Sequence, residues 1–269
     1  MLSKMRPRKA ICLLLGAAVT VTAASTCVKA ETMPSSGIST KLVVAKSSAN
    51  LIEQGQQQAE RGQFESAIEF YNQAIQANSQ NAEAFRYRGI AHHDIGNYPQ
   101  AIDDFSTALQ LHPDHPETLY LRGEAYSHTQ DVNAALSDLT QAITLAPEFV
   151  QPYIDRSILF AVTDQFPLAL SDLDQAVALA PNNADTHYNR GIVNLELGDA
   201  EAAMTDFDTA IQLAPELAEA YGNRGLLHYQ LGNSQMATED LQQAADLFQA
   251  AGDQLSYQQT LDFIQQVQP

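Results

Sequence analysis

Residues 184–217 read ADTHYNRGIVNLELGDAEAAMTDFDTAIQLAPEL, two helix-like segments joined by a turn. Apolar or small residues recur at helical spacing in the first (Tyr188, Gly191, Ile192, Leu195) and in the second (Ala203, Phe207, Ala210). Leu197-Gly198-Asp199 separates the two. Pro215 ends the second, because the residue before a proline is pushed out of the α region.

The pattern returns every 34 residues in both directions. Proline stands at 113, 147, 181 and 215, and glycine at 55, 89, 123, 191 and 225, with Ser157 in the one vacancy. Alanine stands at 67, 101, 135, 169, 203 and 237 and again at 74, 108, 142, 176, 210 and 244. Between the alanine columns lie Tyr71, Phe105, Leu139, Leu173, Phe207 and Leu241. Four series in phase over six copies predict a chain of helical hairpins, each burying its apolar face on its neighbours. Small residues such as Gly89 and Ala101 let the two helices of a hairpin approach closely. Pro99 and Pro167 fall where second helices begin, a position at which a missing N–H costs little. The bulky residue between the alanines is expected to plug the space between hairpins.

On these residues the chain resembles the tetratricopeptide repeat family. Its units show a bulky residue, a small residue four on, an alanine twelve later, then alanine and proline: Tyr153, Ser157, Ala169, Ala176, Pro181, and again His187, Gly191, Ala203, Ala210, Pro215. The resemblance implies an all-α, right-handed α-solenoid of six helix-turn-helix repeats, at 48–81, 82–115, 116–149, 150–183, 184–217 and 218–251. Departures are Ser79 for the first proline, Gln249 for the last, and His187 as an unusual bulky residue. Residues 252–269 are expected to form a capping helix whose Leu255, Leu261, Ile264 and Val267 cover the exposed apolar end.

Residues 1–30 are of another kind. They carry Lys4, Arg6, Arg8, Lys9 and Lys29, no acid, and an uncharged run from Ala10 to Val28 before Val28-Lys29-Ala30. A basic head, an apolar core and a small-residue site read as a signal peptide, cleaved after Ala30. Retention as a membrane anchor and lipidation at Cys27 are the alternatives. Export then places the protein in the periplasm or an equivalent lumen, membrane-anchored if the segment is kept. Residues 31–47, with Pro34 and Gly37, read as a flexible tether.

The chain has 14 Lys and Arg against 32 Asp and Glu. Removing residues 1–30 takes five cations and no acid, leaving nine against 32 and a formal charge of −23. That excludes nucleic acid as a partner, since phosphates select a basic footprint. The leader also holds both cysteines, Cys12 and Cys27, so the remainder has no thiol to oxidise. No phosphate loop, nucleophile elbow or Cys–His pair is present, and the repeats leave no room for a catalytic domain. The protein is read as a non-enzyme without cofactors.

Arg88, Arg122, Arg156, Arg190 and Arg224 share one column, and Asp104, Asp138, Asp172, Asp206 and Asp240 another. The first repeat lacks both, having Gln54 and Phe70 there. Joint presence and joint absence predict a ladder of Arg–Asp pairs between first and second helices. Histidines raise a metal reading: His93 with Asp94, and Glu124 with His128, could meet on neighbouring first helices. No repeat contains a His-x-x-x-His pair, so these are read as polar side chains along a groove and no metal ligand is assigned. His112 and His115, around Pro113-Asp114, read as turn residues.

Family resemblance implies a partner-binding inner surface on the first helices. Carried over, it falls on Arg86, Ile90, Tyr120, Glu124, Ile154, Ile158, Val162, Tyr188, Ile192, Leu195, Leu226 and Tyr229. Only Arg86 is cationic there, among Glu83, Asp94, Glu117, Glu124, Asp185, Glu196 and Glu219. The clamp of basic residues and asparagine that the family's best-known groove closes on a terminal carboxylate is therefore disfavoured. The expected partner is a protein or peptide segment with apolar anchors and basic flanks, bound by a scaffold that assembles or recruits an envelope or membrane complex. A non-catalytic regulatory subunit of an envelope enzyme, and a metal or small-ligand carrier, are the competing readings.

Overall fold

The computed structural model describes the backbone of residues 39–267 and side chains from Ser48 to Val267. The signal peptide, its cleavage site, Cys27 and the first part of the expected tether lie outside the described residues. Thirteen helices, and no strand, make up the described residues: α1 (Ser39–Ala59), α2 (Phe64–Ala77), α3 (Ala82–Asp94), α4 (Tyr98–Leu111), α5 (Pro116–His128), α6 (Val132–Leu145), α7 (Val150–Val162), α8 (Phe166–Leu179), α9 (Ala184–Leu197), α10 (Ala200–Leu213), α11 (Ala218–Gln230), α12 (Ser234–Ala251) and α13 (Gln254–Val267).

One expectation is corrected at the start of the chain. Residues 39–47, read as tether, are helical and belong to α1. After Gly37 no proline or glycine interrupts the sequence until Gly55, so a helix nucleated by packing of residues 48–59 can extend backwards.

The described residues fall into two compact units that divide after Leu159. In the first, α1, α3 and α5 pack on α2, α4 and α6 respectively, and α2 and α4 in turn meet the next first helix. In the second, α9 and α11 pack on α10 and α12, α8 and α10 meet the following first helix, and α13 lies on α12. Asn81, Asp131, Asn183 and Asp199 cap helix N-termini through their side chains, each accepting from a backbone N–H two or three residues on. Second helices α4, α6, α8 and α10 all end two residues before the repeat proline.

Each column has a packing reason. The alanines of both series are fully or almost fully buried. The bulky residue fills its own hairpin, where a Cβ on Gly191 would stand 2.7 Å from a ring carbon of Phe207 and one on Gly89 equally close to Phe105. It also packs against the next hairpin as expected, Leu139 with Leu159 and Phe207 with Leu227. Glycine is there because the ring occupies the space a side chain needs. His187 has an account as well. Its Nε2 lies 2.9 Å from the Pro181 carbonyl, while Tyr153, one repeat earlier, donates its hydroxyl to the Pro147 carbonyl at 3.2 Å. Both tie a first helix to the proline loop before it.

A further column escapes the sequence reading. The residue ending each intra-hairpin turn has positive φ: Gly62, Gly96, Gly198 and Gly232, but also Gln130 at 64° and Asp164 at 60°. Two repeats therefore carry side chains where the left-handed conformation favours glycine.

At the C-terminal end, α13 buries Ile264 and Val267 against Leu226, Leu241 and Ala245. Leu261 is partly buried, and Leu255, placed in the cap by the sequence, is exposed.

Candidate functional site

The arginine column forms the ladder its spacing predicts, with an additional contact. Arg122 donates through Nε and Nη2 to the two carboxylate oxygens of Asp138 at 2.7 and 2.8 Å, a bidentate fork. Arg88 grips Asp104, and Arg224 grips Asp240, in the same way. Arg190 holds Asp206 through Nη2 at 2.7 Å. The remaining nitrogen, Nη1, reaches back to the preceding second helix: Arg88 to Asn72, Arg122 to Ser106, Arg156 to Thr140, Arg190 to Asp174 and Arg224 to Asp208. Those partners are also 34 apart, and all have polar oxygens. Each such guanidinium joins its own repeat to the one before, and hydrogen bonding to the carboxylates raises the pKa of Arg122, Arg190 and Arg224. Asp206 is the most heavily used acid, accepting also from Asn194 Nδ2 at 3.0 Å with His187 Nδ1 at 3.4 Å. With the charges of Arg88, Arg122, Arg190 and Arg224 each met by a carboxylate, those members of the column are structural.

The first helices carry the residues assigned to the inner surface, and they behave differently from one another. In the first unit, Arg86 lies over the Tyr87 ring at 4.4 Å, and Ile90, Ile154 and Ile158 are partly buried. Tyr120 packs edge-on to Phe149 at 5.2 Å and against Leu139 and Leu159, with its hydroxyl hydrogen-bonded to Asp155. Burial pushes the Asp155 carboxyl up to about 7, the negative charge of Glu124 adds to this, and the Tyr120 hydrogen bond opposes it.

In the second unit, Tyr188, Ile192 and Leu195 are partly buried on α9 against Ala203, Phe207 and Leu227. The Tyr188 hydroxyl accepts from Asn223 Nδ2 at 3.0 Å, linking α9 to α11. Tyr229 is 45% and Val162 68% exposed, the most open apolar residues of the set. Leu226, expected at this surface, is only 6% exposed and packs in the core beneath α13. Around these residues Glu83, Asp94, Glu117 and Asp185 are exposed, and Glu196 and Glu219 partly so.

Glu124 is no rim acid. It is 6% exposed, and burial raises its pKa against the lowering effect of His93. His93 of α3 and His128, one turn beyond Glu124 on α5, bring a nitrogen each to the same spot, so three potential ligand atoms lie within 4.8 Å of one another. Tyr98 stacks on His128 with centroids 4.2 Å apart and meets His93 edge-on at 5.2 Å. Burial, with the neighbouring His93, lowers the His128 pKa. His115 caps α5 by accepting from Thr118 N, and His112 caps α4, the turn roles their positions suggest.

Repeat-family models match most of this architecture. Tetratricopeptide repeat models match residues 82–115, 116–149, 156–221 and 218–250, and a TPR repeat model matches 55–96. The chain belongs to the tetratricopeptide repeat family. Solved TPR structures share its fold. PilF of Pseudomonas aeruginosa is similar at TM-score 0.70 and 16% identity, over 82% of this chain and 99% of that one. YrrB, a TPR protein with an unusual peptide-binding site, gives 0.60 and 21% over 71% and 96%. MamA from Desulfovibrio magneticus RS-1 gives 0.60 and 21% over 65% and 98%. No curated protein matches the chain significantly in sequence. The family pattern accounts for the alanine, glycine and proline positions, and leaves the first-helix faces to individual character.

Proposed function

We propose that this TPR chain is a non-catalytic protein-interaction scaffold. It receives a partner segment with apolar anchors and Lys or Arg flanks on its first-helix faces, and so assembles or recruits an envelope or membrane complex. One observation carries the reading: half-buried and exposed apolar side chains, such as Tyr188, Ile192 and Tyr229 in the second unit, lie among acids with only Arg86 as an inner-surface cation. Burying two or three anchors supplies about 1.5–3 kcal/mol each before ordering costs, and the acids select the flanking charge. The peptide-binding site of the similar YrrB supports this class of activity.

The test uses fluorescent peptides with the same apolar anchors and either Lys/Arg or Asp/Glu flanks. Basic peptides should bind more tightly, lose affinity as salt rises, and weaken with Val162→Glu plus Tyr229→Glu, two exposed positions whose change spares the core. Equal affinity for acidic flanks would sink the proposal.

We further propose that the protein is exported and begins at Glu31, from the basic head and Val28-Lys29-Ala30. Among the described residues no helix is long and apolar enough to cross a membrane. Intact-mass measurement of native protein should show loss of residues 1–30; a retained leader or a lipid on Cys27 contradicts this.

A further inference from the structure

We propose that His93, Glu124 and His128 form a binding site for a divalent transition-metal ion of the zinc type, joining α3 to α5 within the first unit. One ligand atom from each residue lies within 4.8 Å of the other two. Two imidazoles and a carboxylate form a donor set that zinc accepts, with a fourth position left open. His93 Nε2 and Glu124 Oε2 are 3.9 Å apart. Donors around tetrahedral zinc stand about 3.3 Å apart, so this pair needs to close by about half an ångström, and the pairs to His128, within 4.8 Å, by up to about 1.5 Å.

Three independent features mark the cluster as more than chance proximity. The first is an orphaned atom. His93 Nε2 is buried and has no hydrogen-bond partner, although it points towards the Glu124 carboxylate. Four other buried side-chain atoms among the described residues are also unpartnered, so the orphan counts here through the carboxylate and second imidazole beside it. The second is the repeat column. Glu124 occupies the position filled elsewhere by Ile90, Ile158, Ile192 and Leu226, so an acid is buried where the architecture uses aliphatic side chains. A local rule broken at one repeat without a packing gain is the mark of a functional position. The third is preorganisation by ring packing: Tyr98 stacks on His128 and meets His93 edge-on, while Asp94 Oδ1, 4.0 Å from His93 Nδ1, is beyond hydrogen-bond distance. His128 is exposed, so the site opens to solvent on that side.

The test is calorimetric titration of Zn²⁺ into the chelator-treated full chain, with Co²⁺ visible absorption to report coordination. One Zn²⁺ per chain is expected, at micromolar Kd or tighter, with an intense Co²⁺ spectrum. His93→Ala, His128→Ala and Glu124→Gln should each weaken binding by at least about tenfold, whereas His112→Ala, which alters a helix-cap histidine outside the cluster, should not. Circular dichroism of His128→Ala, an exposed position, guards against misfolding as the cause. Absence of one-to-one binding, or its survival in folded His128→Ala and His93→Ala, overturns the proposal and leaves an aromatic packing cluster.

Discussion

Removing single acids from the arginine ladder should produce a graded loss of stability set by the number of donors orphaned. In Asp138→Ala the Arg122 fork loses both oxygens, at 2.7 and 2.8 Å. Breaking a buried pair from one side costs about 3–5 kcal/mol. Arg122 keeps about one-fifth of its side-chain surface open to water and retains its Ser106 contact, so about 2–3 kcal/mol is expected. Asp206→Ala removes more. Arg190 loses its buried carboxylate and keeps only the exposed Asp174, Asn194 Nδ2 loses its acceptor, and His187 Nδ1 loses its neighbour. At about 1 kcal/mol for each neutral donor left dry, the total rises to about 4 kcal/mol. Asp185→Ala, at an exposed position on the same side of the repeat, should stay within about 0.5 kcal/mol of the parent. Urea denaturation followed by far-ultraviolet circular dichroism measures the midpoints, and the slope m tests whether one cooperative transition persists. The expected order is Asp206→Ala, then Asp138→Ala, then Asp185→Ala. Asp206→Asn should fall between the first two, because it keeps an acceptor but not the charge. Equal midpoints for Asp206→Ala and Asp185→Ala would refute the reasoning, since a desolvated guanidinium cannot lose its carboxylate at no cost.

Other perturbations test other columns. Gln130→Gly and Asp164→Gly should each raise the urea midpoint, by about 0.5–1 kcal/mol, because both residues adopt positive φ where four repeats have glycine; unchanged midpoints would show that their side chains compensate. Gly191→Ala should destabilise by about 1–3 kcal/mol, since the new Cβ meets Phe207 at 2.7 Å, and partial recovery of the thermal midpoint on adding Phe207→Leu checks the steric origin. Asp155 stays protonated up to about 7 in the folded chain but ionises near the ordinary carboxylate value when unfolded, so its contribution is fully present at acid pH and is lost as pH rises through that window. Asp155→Asn should therefore gain on the parent between pH 5 and pH 8, and a difference independent of pH would contradict the assignment. Deleting 253–269 should uncover Leu226, Leu241 and Ala245 and promote self-association, readable by light scattering.

The repeat columns were legible because six copies average away what is peculiar to each. Ala101 or Pro113 alone would say little; their recurrence every 34 residues reports a packing constraint that no single neighbour explains. The Arg–Asp pairing was legible for the same reason, through joint absence in the first repeat. What averaging hides is the second use of each arginine, because its partners are Asn72, Ser106, Thr140, Asp174 and Asp208, which vary in type while keeping a side-chain oxygen. The start of α1 was missed because the nine residues before 48 repeat nothing, and propensity alone does not decide a helix end. Leu226 was misplaced for a converse reason: its column belongs to the open face in internal repeats, but α13 covers it in the last.

It follows that information about specificity lies in the departures from the repeat rather than in the repeat. The columns are answerable to folding, since their residues pack or pair between helices in repeat after repeat. Glu124 is not answerable in that way, since Ile90 and Ile158 fill the same column on either side without a charge. His93 and His128 lie at positions with no fixed residue type, and Tyr98 shares its position with Phe64 and Phe166, so Glu124 is the departure and the other three are its particular surroundings. Glu124, His93, His128 and Tyr98 fall at separate places in the sequence and are brought to one spot by the superposition of α3, the start of α4 and α5. Independent surface drift would scatter such residues over the faces of the solenoid; convergence on a buried carboxylate and an unpartnered imidazole nitrogen requires a common constraint. The cation site proposed above would supply that constraint, at a position where Ile90 and Ile158 show that an uncharged side chain meets the packing.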